Sequence, residues 1–291
     1  MESSVRRDHQ LAPTVKTLRL GGDEIVPTLG MGTWKIGETR SRRSEEIATL
    51  RTGLDLGLKL IDTAEMYGDG ASEELVGEAI AGRRAEAFLV SKVYPHNASR
   101  AGVAMACERS LARLKTDYLD LYLLHWRGRF PLVETIEAFE RLRAAGKIRH
   151  WGVSNFDLAD MADLIAATGG QGVATNQVLY NLVRRGIEWD LLPWAQARRL
   201  PIMAYSPIEQ ADLLGRRELA ELAFAHGWTP AQLAIAWVLD RDGVIAIPKT
   251  SNRAHLKENA GALDVTLSPE IRRALDAIFP APRGPSALEM L

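Results

Sequence analysis

The stretch over residues 118–155, YLDLYLLHWRGRFPLVETIEAFERLRAAGKIRHWGVSN, decides the fold. It opens on a predicted strand over 118–125, with Leu119, Leu121 and Leu123 on one face and Asp120 and Tyr122 on the other. Pro131 starts a helix that Gly146 stops. A second strand follows over 148–155. Strand, helix and strand at this spacing form a β-α unit of the kind that builds a parallel sheet.

The same rhythm runs outward in both directions. Upstream, strands are expected over 29–34, 59–63 and 88–93, with Ile47, Leu50, Leu54 and Leu58 marking a helical stripe. A further helix opens at Ser72, whose hydroxyl is placed to cap it, with Glu73 and Glu74 in the first turn. Downstream, strands are expected over 173–180, 202–207 and 244–248. Helices fill 157–167, 187–199, 218–226, 229–240 and 253–263, and Thr229 before Pro230 gives a clear helix start. A last helix runs from Ser268 to Phe279. Eight β-α units in about 250 residues point to an α/β protein, a (β/α)8 TIM barrel, rather than to two domains. Segments 17–20 and 25–27 flank Gly21-Gly22 and are expected to form an N-terminal β-hairpin closing the barrel floor. The expectation is one domain over 1–291, with a loose lead-in over 1–15, an extra C-terminal helix, and a tail over 280–291 near the active site.

Composition narrows the classes of function. The chain has 291 residues, 46% hydrophobic and 25% charged, the balance of a globular protein. Lys plus Arg (36) nearly cancels Asp plus Glu (37). A net charge of -1 offers no field for a phosphate backbone, so nucleic acid is not expected as a partner. The single cysteine, Cys107, shares a helical stripe with Val103, Leu111 and Leu114 and reads as a core residue. No apolar run approaches the roughly 18 residues of a membrane helix. Arg6-Arg7 is followed by Asp8, His9 and Gln10 rather than by an apolar stretch, so a cytoplasmic location is expected.

Polar residues at the C-terminal ends of barrel strands converge on one rim. Here Asp62 ends the second strand, Tyr67 lies in the loop after it, Lys92 ends the third and His125 the fourth. Each alone has a bland explanation: a salt bridge, a packed ring, a core histidine. Together they make an acid for carbonyl reduction. A tyrosine hydroxyl near pH 10 is too weak an acid at neutral pH. An ammonium about 4 Å away supplies about 4 kcal/mol at an effective dielectric near 20, enough to bring the hydroxyl down to about 7–8. Asp62 would hold Lys92 charged and in place, and His125 would turn a carbonyl oxygen toward Tyr67. Rival chemistries lack their residues. His9, His96, His125, His150, His226 and His255 show no HxH or HExxH spacing, so no metal site is expected. Ser154 in GVSNF lacks the second glycine of a nucleophile elbow.

The segments LGMGTWKIG, LIDTAEMYGDG, LVSKVYPHN, LDLYLLHW, GKIRHWGVSNF, TNQVLYN, MAYSPI and VIAIPKTSN occur in one order at the strand ends. By them the chain resembles the aldo-keto reductase superfamily over essentially its whole length. DTAEMYGDG and VLYNLVRRGIEWDLLPW are most similar to bacterial members that reduce methylglyoxal and related aldehydes. The resemblance implies reduction of aldehydes or ketones, methylglyoxal-like or aromatic, by hydride transfer from NADPH, with NADH as the second candidate. It places the catalytic tetrad on Asp62, Tyr67, Lys92 and His125, with Tyr67 as general acid. Ser154, Asn155 and Gln177 match residues that bond the nicotinamide carboxamide, and Tyr205 the aromatic that stacks on its ring. Thr33, Ser206, Pro207 and Ile208 match further cofactor-lining positions. Trp34, Trp126 and Tyr94 are expected to wall the substrate pocket.

No GxGxxG follows any strand, and the family binds its cofactor without one, extended across the barrel top. The resemblance implies that Lys249 and Thr250 lie around the 2′-phosphate and that Glu258 and Asn259 contact adenine. The chain departs from the pattern at His255, which stands where the family has a phosphate-binding arginine; Arg253 is the expected substitute. Residues 211–217 are also short for the loop that clasps the pyrophosphate in many relatives. A small-molecule carbonyl substrate and a monomer or weak homo-oligomer are expected. The alternative is a cofactor-sensing regulatory subunit of the same fold with slow turnover.

Overall fold

Gly21 and Gly22, both at positive φ, turn the chain between β1 (Thr17–Leu20) and β2 (Glu24–Pro27), an antiparallel hairpin. The computed structural model describes residues 15–291. Of the lead-in expected over 1–15, all but Val15 lies outside the described residues, Arg6 and Arg7 included. After the hairpin come β3 (Met31–Gly32), β4 (Leu60–Asp62), β5 (Phe88–Val93), β6 (Leu119–Leu124), β7 (Ile148–Ser154), β8 (Asn176–Leu179), β9 (Ile202–Tyr205) and β10 (Val244–Ile247). These eight pair in parallel, each with its neighbour in the chain. The first and last also meet: Gly32 N donates to Pro248 O (3.0 Å) and Ala246 N to Thr28 O (2.8 Å). The sheet is therefore a closed barrel.

The helices α1 (Arg43–Asp55), α2 (Ala71–Ala79), α3 (Arg100–Leu114), α4 (Leu132–Ala144), α5 (Leu158–Ala166), α6 (Leu191–Ala197), α7 (Arg217–Ala225) and α8 (Pro230–Leu239) fill the connections, with α7 and α8 sharing one. Then α9 (Arg253–Ala260) and α10 (Pro269–Ile278) follow β10. The fold is the (β/α)8 barrel expected, with the N-terminal hairpin and an extra C-terminal helix. No described helix is long and apolar enough to cross a membrane.

Two cores divide the apolar residues. The larger lies between strands and helices and includes Cys107, whose thiol burial pushes up to about 12. The smaller fills the barrel with Leu60, Phe88, Val90, Leu121, Leu123, Met203, Ile245 and Ile247, and the hairpin contributes Leu20 and Val26 to it. Side chains alternate along a strand, so each inward row can be read two residues at a time. Leu60 is followed by Asp62, Val90 by Lys92, Leu123 by His125, Met203 by Tyr205 and Ile247 by Lys249. Each of these five rows is apolar at the floor and changes to hydrogen-bonding groups at one mouth.

Several local expectations are corrected. Strands expected through Asn155 and Pro207 stop earlier, because Asn155 (φ 56°) and Ser206 (φ 50°) take left-handed backbone that no ladder continues. Ser72 does not cap α2; Gly70 holds the cap position, and Ser72 is buried inside the helix, donating to Thr33 Oγ1 (2.8 Å). As expected, Asp120 and Tyr122 lie on the other face of β6 from Leu121 and Leu123, and they are buried rather than solvated, since a barrel strand is covered on both sides. Asp120 instead binds Arg84 (2.8 Å) and Leu89 N (2.8 Å).

The two-sided hairpin gives a direct test. Leu20→Ala empties space under the barrel and is expected to cost about 2–5 kcal/mol in urea melts. Ile25→Ala, at a 52% exposed position of the same hairpin, should stay within about 0.5 kcal/mol.

Candidate active site

Lys92, on the inner face of β5, is wholly buried, and burial obliges its ammonium to find acceptors. It donates to Asp62 Oδ2 at 2.8 Å, to Thr63 O at 2.9 Å and to Tyr67 Oη at 3.0 Å. Parallel pairing of Asp62 with Val90, and of Lys92 with Leu123, brings these strand ends level. The tyrosine arrives by a turn in which Gly68 (φ 58°), Asp69 (φ 51°) and Gly70 (φ 95°) are all left-handed, a run that the two glycines make affordable. His125 follows β6, its ring edge-on to Tyr67 with centroids 5.9 Å apart. All four predicted catalytic residues thus meet at one place.

An ammonium has three hydrogens and no lone pair, and here all three are placed. Tyr67 Oη must therefore accept from Lys92, which leaves its own hydrogen for another partner. The expected acidification of Tyr67 does not occur. Burial raises its pKa most, Lys92 pulls it down, and the Asp62 carboxylate raises it again; the net direction is up from 10.0. Asp62, 2.8 Å from the ammonium, offsets part of its pull, and burial outweighs the remainder. Lys92 itself is pressed down by burial, but Asp62 and then Tyr67 outweigh that and hold it above its ordinary value. Burial, and next the Lys92 charge, drive His125 down to about 2, so its imidazole is neutral. Its Nδ1 is buried with no hydrogen-bond partner among the described residues.

The tetrad opens on a cavity of about 450 Å³. Opposite Lys92, Gln177 Nε2 donates to Asp62 Oδ1 (2.7 Å), and Ser154 Oγ donates to Gln177 O (2.8 Å). Asn155 Nδ2 donates to His125 O (3.2 Å), and Tyr205 Oη donates to Asn155 Oδ1 (3.0 Å). Thr33, Ser206, Pro207, Ile208, Trp34 and Trp126 also line the cavity.

Tyr94 does not, which corrects its placement in the pocket: Glu65 Oε1 accepts from its backbone N (2.8 Å), and its ring packs edge-on against Trp126 from behind. Of the residues expected around the adenosine end, only Lys249 reaches the cavity. Thr250, Arg253, His255, Glu258 and Asn259 lie beyond it on and before α9; Arg253 and His255 are exposed, and Asn259 is buried. Burial lowers the pKa of Lys249; Glu46 opposes this, and the cations Arg42 and Lys35 add to it. Arg127, next to Trp126, is held by Asp160 (2.6 Å) and Asp163 (2.8 Å).

Sequence reasoning missed several cavity residues. Lys35 and Met66 adjoin Trp34 and Tyr67, so adjacency was their available signal. Gly32, Gln210, Ala211 and Ile247 were missed as well, whereas Met290 and Leu291 belong to the tail over 280–291 that was expected near the active site. Arg42, which donates to Ser251 Oγ (2.6 Å), carried no signal because its partner lies 209 positions away.

The sequence model of the aldo/keto reductase family matches residues 28–279. The chain is 53% identical over 281 residues to methylglyoxal reductase YeaE of Escherichia coli (strain K12), covering 95% of this chain and 99% of that protein. It is 33% identical over 279 residues to the glyoxal reductase of Bacillus subtilis (strain 168), covering 94% and 97%. Among solved structures, an aldo-keto reductase from Klebsiella pneumoniae in complex with NADPH superposes with a TM-score of 0.93 at 52% identity, covering 95% of this chain and 99% of that one.

A neutral buried His125 has a consequence for stability. The unfolded chain protonates this residue near 6.5 and the folded chain only near 2, so folding stability is full above 6.5 and falls as the pH drops below it. From this group the loss approaches about 1.4 kcal/mol per pH unit. Urea melts from pH 7 to pH 5 should show a smaller decline in His125→Gln than in the parent. Equal declines in the two proteins would mean that His125 is not buried neutral.

Proposed function

The chain belongs to the aldo/keto reductase family, and we propose that it reduces methylglyoxal and other small or aromatic aldehydes with NADPH, using Tyr67 as the general acid. The observation that carries the proposal is the bond from Lys92 to Tyr67 Oη, which frees the tyrosine hydrogen for a ligand in the cavity. A carbonyl oxygen placed there would take that proton. An unpaired buried lone pair costs less than an unpaired N–H, so we put the single proton of neutral His125 on Nε2 rather than on orphaned Nδ1. From Nε2 it would donate to the same oxygen and orient it. Lys92 and Asp62 act behind the tyrosine: the ammonium fixes its hydroxyl, and the carboxylate keeps the ammonium paired.

The cavity suits the nicotinamide cofactor. Tyr205 supplies an aromatic face, and Ser154, Asn155 and Gln177 supply amide and hydroxyl groups beside it. Lys35 and Lys249 in the lining, with Arg42 near Lys249, supply positive charge for phosphate groups. When bound, the cofactor provides the hydride that reduces the carbonyl carbon. NADPH is preferred over NADH because a third phosphate gains most from this cluster, even with His255 at the arginine position. The Klebsiella pneumoniae relative, solved with NADPH, supports the same choice. Trp34 and Trp126 wall the side where the carbonyl would enter. The tail over 280–291 acts with the barrel as one unit, bringing Met290 and Leu291 to the same side.

Tyr67→Phe keeps the ring and removes the proton. It should reduce methylglyoxal turnover by about 10²–10⁴-fold while NADPH still binds, as read by quenching of tryptophan fluorescence. Turnover that survives the substitution would refute the assignment. In parallel assays, kcat/KM should be higher with NADPH than with NADH, and a preference for NADH of about tenfold or more would overturn the cofactor choice.

A further inference from the structure

The arginine pair in NLVRRGIEW takes no part in the tetrad, yet it holds the tail. Arg185 is buried and donates to Asp276 Oδ1 on α10 (2.8 Å) and to Phe279 O, fixing the point where the tail begins. Arg184 Nη1 donates to Glu289 Oε1 (2.6 Å), one residue before Met290 and Leu291 in the cavity wall. Between these anchors, Ser286 lies against Gly186 so closely that a Cβ there would stand 2.5 Å from Ser286 Oγ. Beneath residues 286–289 is a second cavity of about 430 Å³, walled in part by Leu158, Ala162, Ile187 and Leu191. This part of the tail thus borders a void and is held by its ion pair, by the Ser286 contact and by Leu288, which packs against the larger core.

The other edge of the same guanidinium binds the segment that follows β9. Arg184 Nε and Nη2 both reach Glu209 Oε1 (2.7 Å each), and Asn181 Nδ2 donates to Glu209 Oε2 (2.7 Å). Glu209 belongs to the segment 206–211, where Ser206, Glu209, Gln210 and Ala211 all have positive φ. Non-glycine residues in that region are strained and need outside restraint. That segment gives Ile208 and Gln210 to the same cavity that Met290 and Leu291 line.

We propose that Arg184 is a positioning residue that couples the cofactor-side wall at 206–211 to the substrate-side wall at 290–291, so that ordering one orders the other. This assignment of sides rests on the reading of the cavity as a site for NADPH and a carbonyl. A planar guanidinium suits the role because it can grip two carboxylates along two edges, which a lysine cannot.

The test compares the parent with Glu289→Gln, Gly186→Ala and Arg184→Gln. Glu289→Gln removes the tail's charge, and Gly186→Ala displaces Ser286 by contact alone. Both should raise the KM for methylglyoxal by about three- to fivefold with little change in kcat, the size expected for a partly exposed ion pair. Both should also speed tryptic cleavage after Arg283, followed by intact-mass measurement. Saturating NADPH should slow that cleavage in the parent and fail to do so in Arg184→Gln, which frees both walls. Parent-like KM and cleavage in Glu289→Gln and Gly186→Ala would overturn the proposal, as would NADPH protection that persists in Arg184→Gln. If the parent protein fails to reduce methylglyoxal, the substrate reading falls, while NADPH protection at Arg283 still decides the coupling.

Discussion

A buried ammonium with three hydrogens to place is the constraint on which the site depends. Removing one partner of such a pair leaves an uncompensated charge, at a cost of roughly 3–5 kcal/mol. Lys92 therefore holds the end of β4 through Asp62, the following carbonyl through Thr63, and the Tyr67 turn through its hydroxyl. Asp62 carries the restraint across the barrel to Gln177 on β8. Ser154 bonds the Gln177 carbonyl, while Asn155 joins His125 to Tyr205. Groups at the ends of six strands are ordered by this set of bonds.

The barrel separates this polar mouth from its own support. Along five of the inward rows the change from apolar to polar takes one step of two residues, as at Val90 and Lys92 or Leu123 and His125. Leucines, valines and isoleucines below keep water out, which strengthens the bonds above and holds His125 neutral. The hairpin closes the other end with Leu20 and Val26.

Much of this was legible in the sequence. All eight barrel strands were visible as short apolar runs between helical stripes, and the tetrad stood out because its residues fall at or just after strand ends. What was not legible depends on distances and directions. The acidity of Tyr67 turned first on its burial, which outweighs the pull of Lys92, and then on Asp62 standing 2.8 Å from Lys92 Nζ, which offsets part of that pull. Tyr94 follows β5, but Pro95 leads into a turn and the ring packs behind Trp126. Ser72 has the composition of a helix cap, yet its hydroxyl is committed to Thr33. The Arg184 contacts join residues 25 and 105 positions apart, where no local pattern connects them.

The most direct test of the Lys92 account is where Tyr67 ionises. Tyrosinate absorbance of the free protein is titrated against that of Tyr67→Phe, and the difference isolates this one hydroxyl. Burial of the hydroxyl, with Asp62 beside the ammonium, predicts no ionisation of Tyr67 below about pH 10. Ionisation near pH 7–8, about the value an uncancelled ammonium would produce, would contradict it.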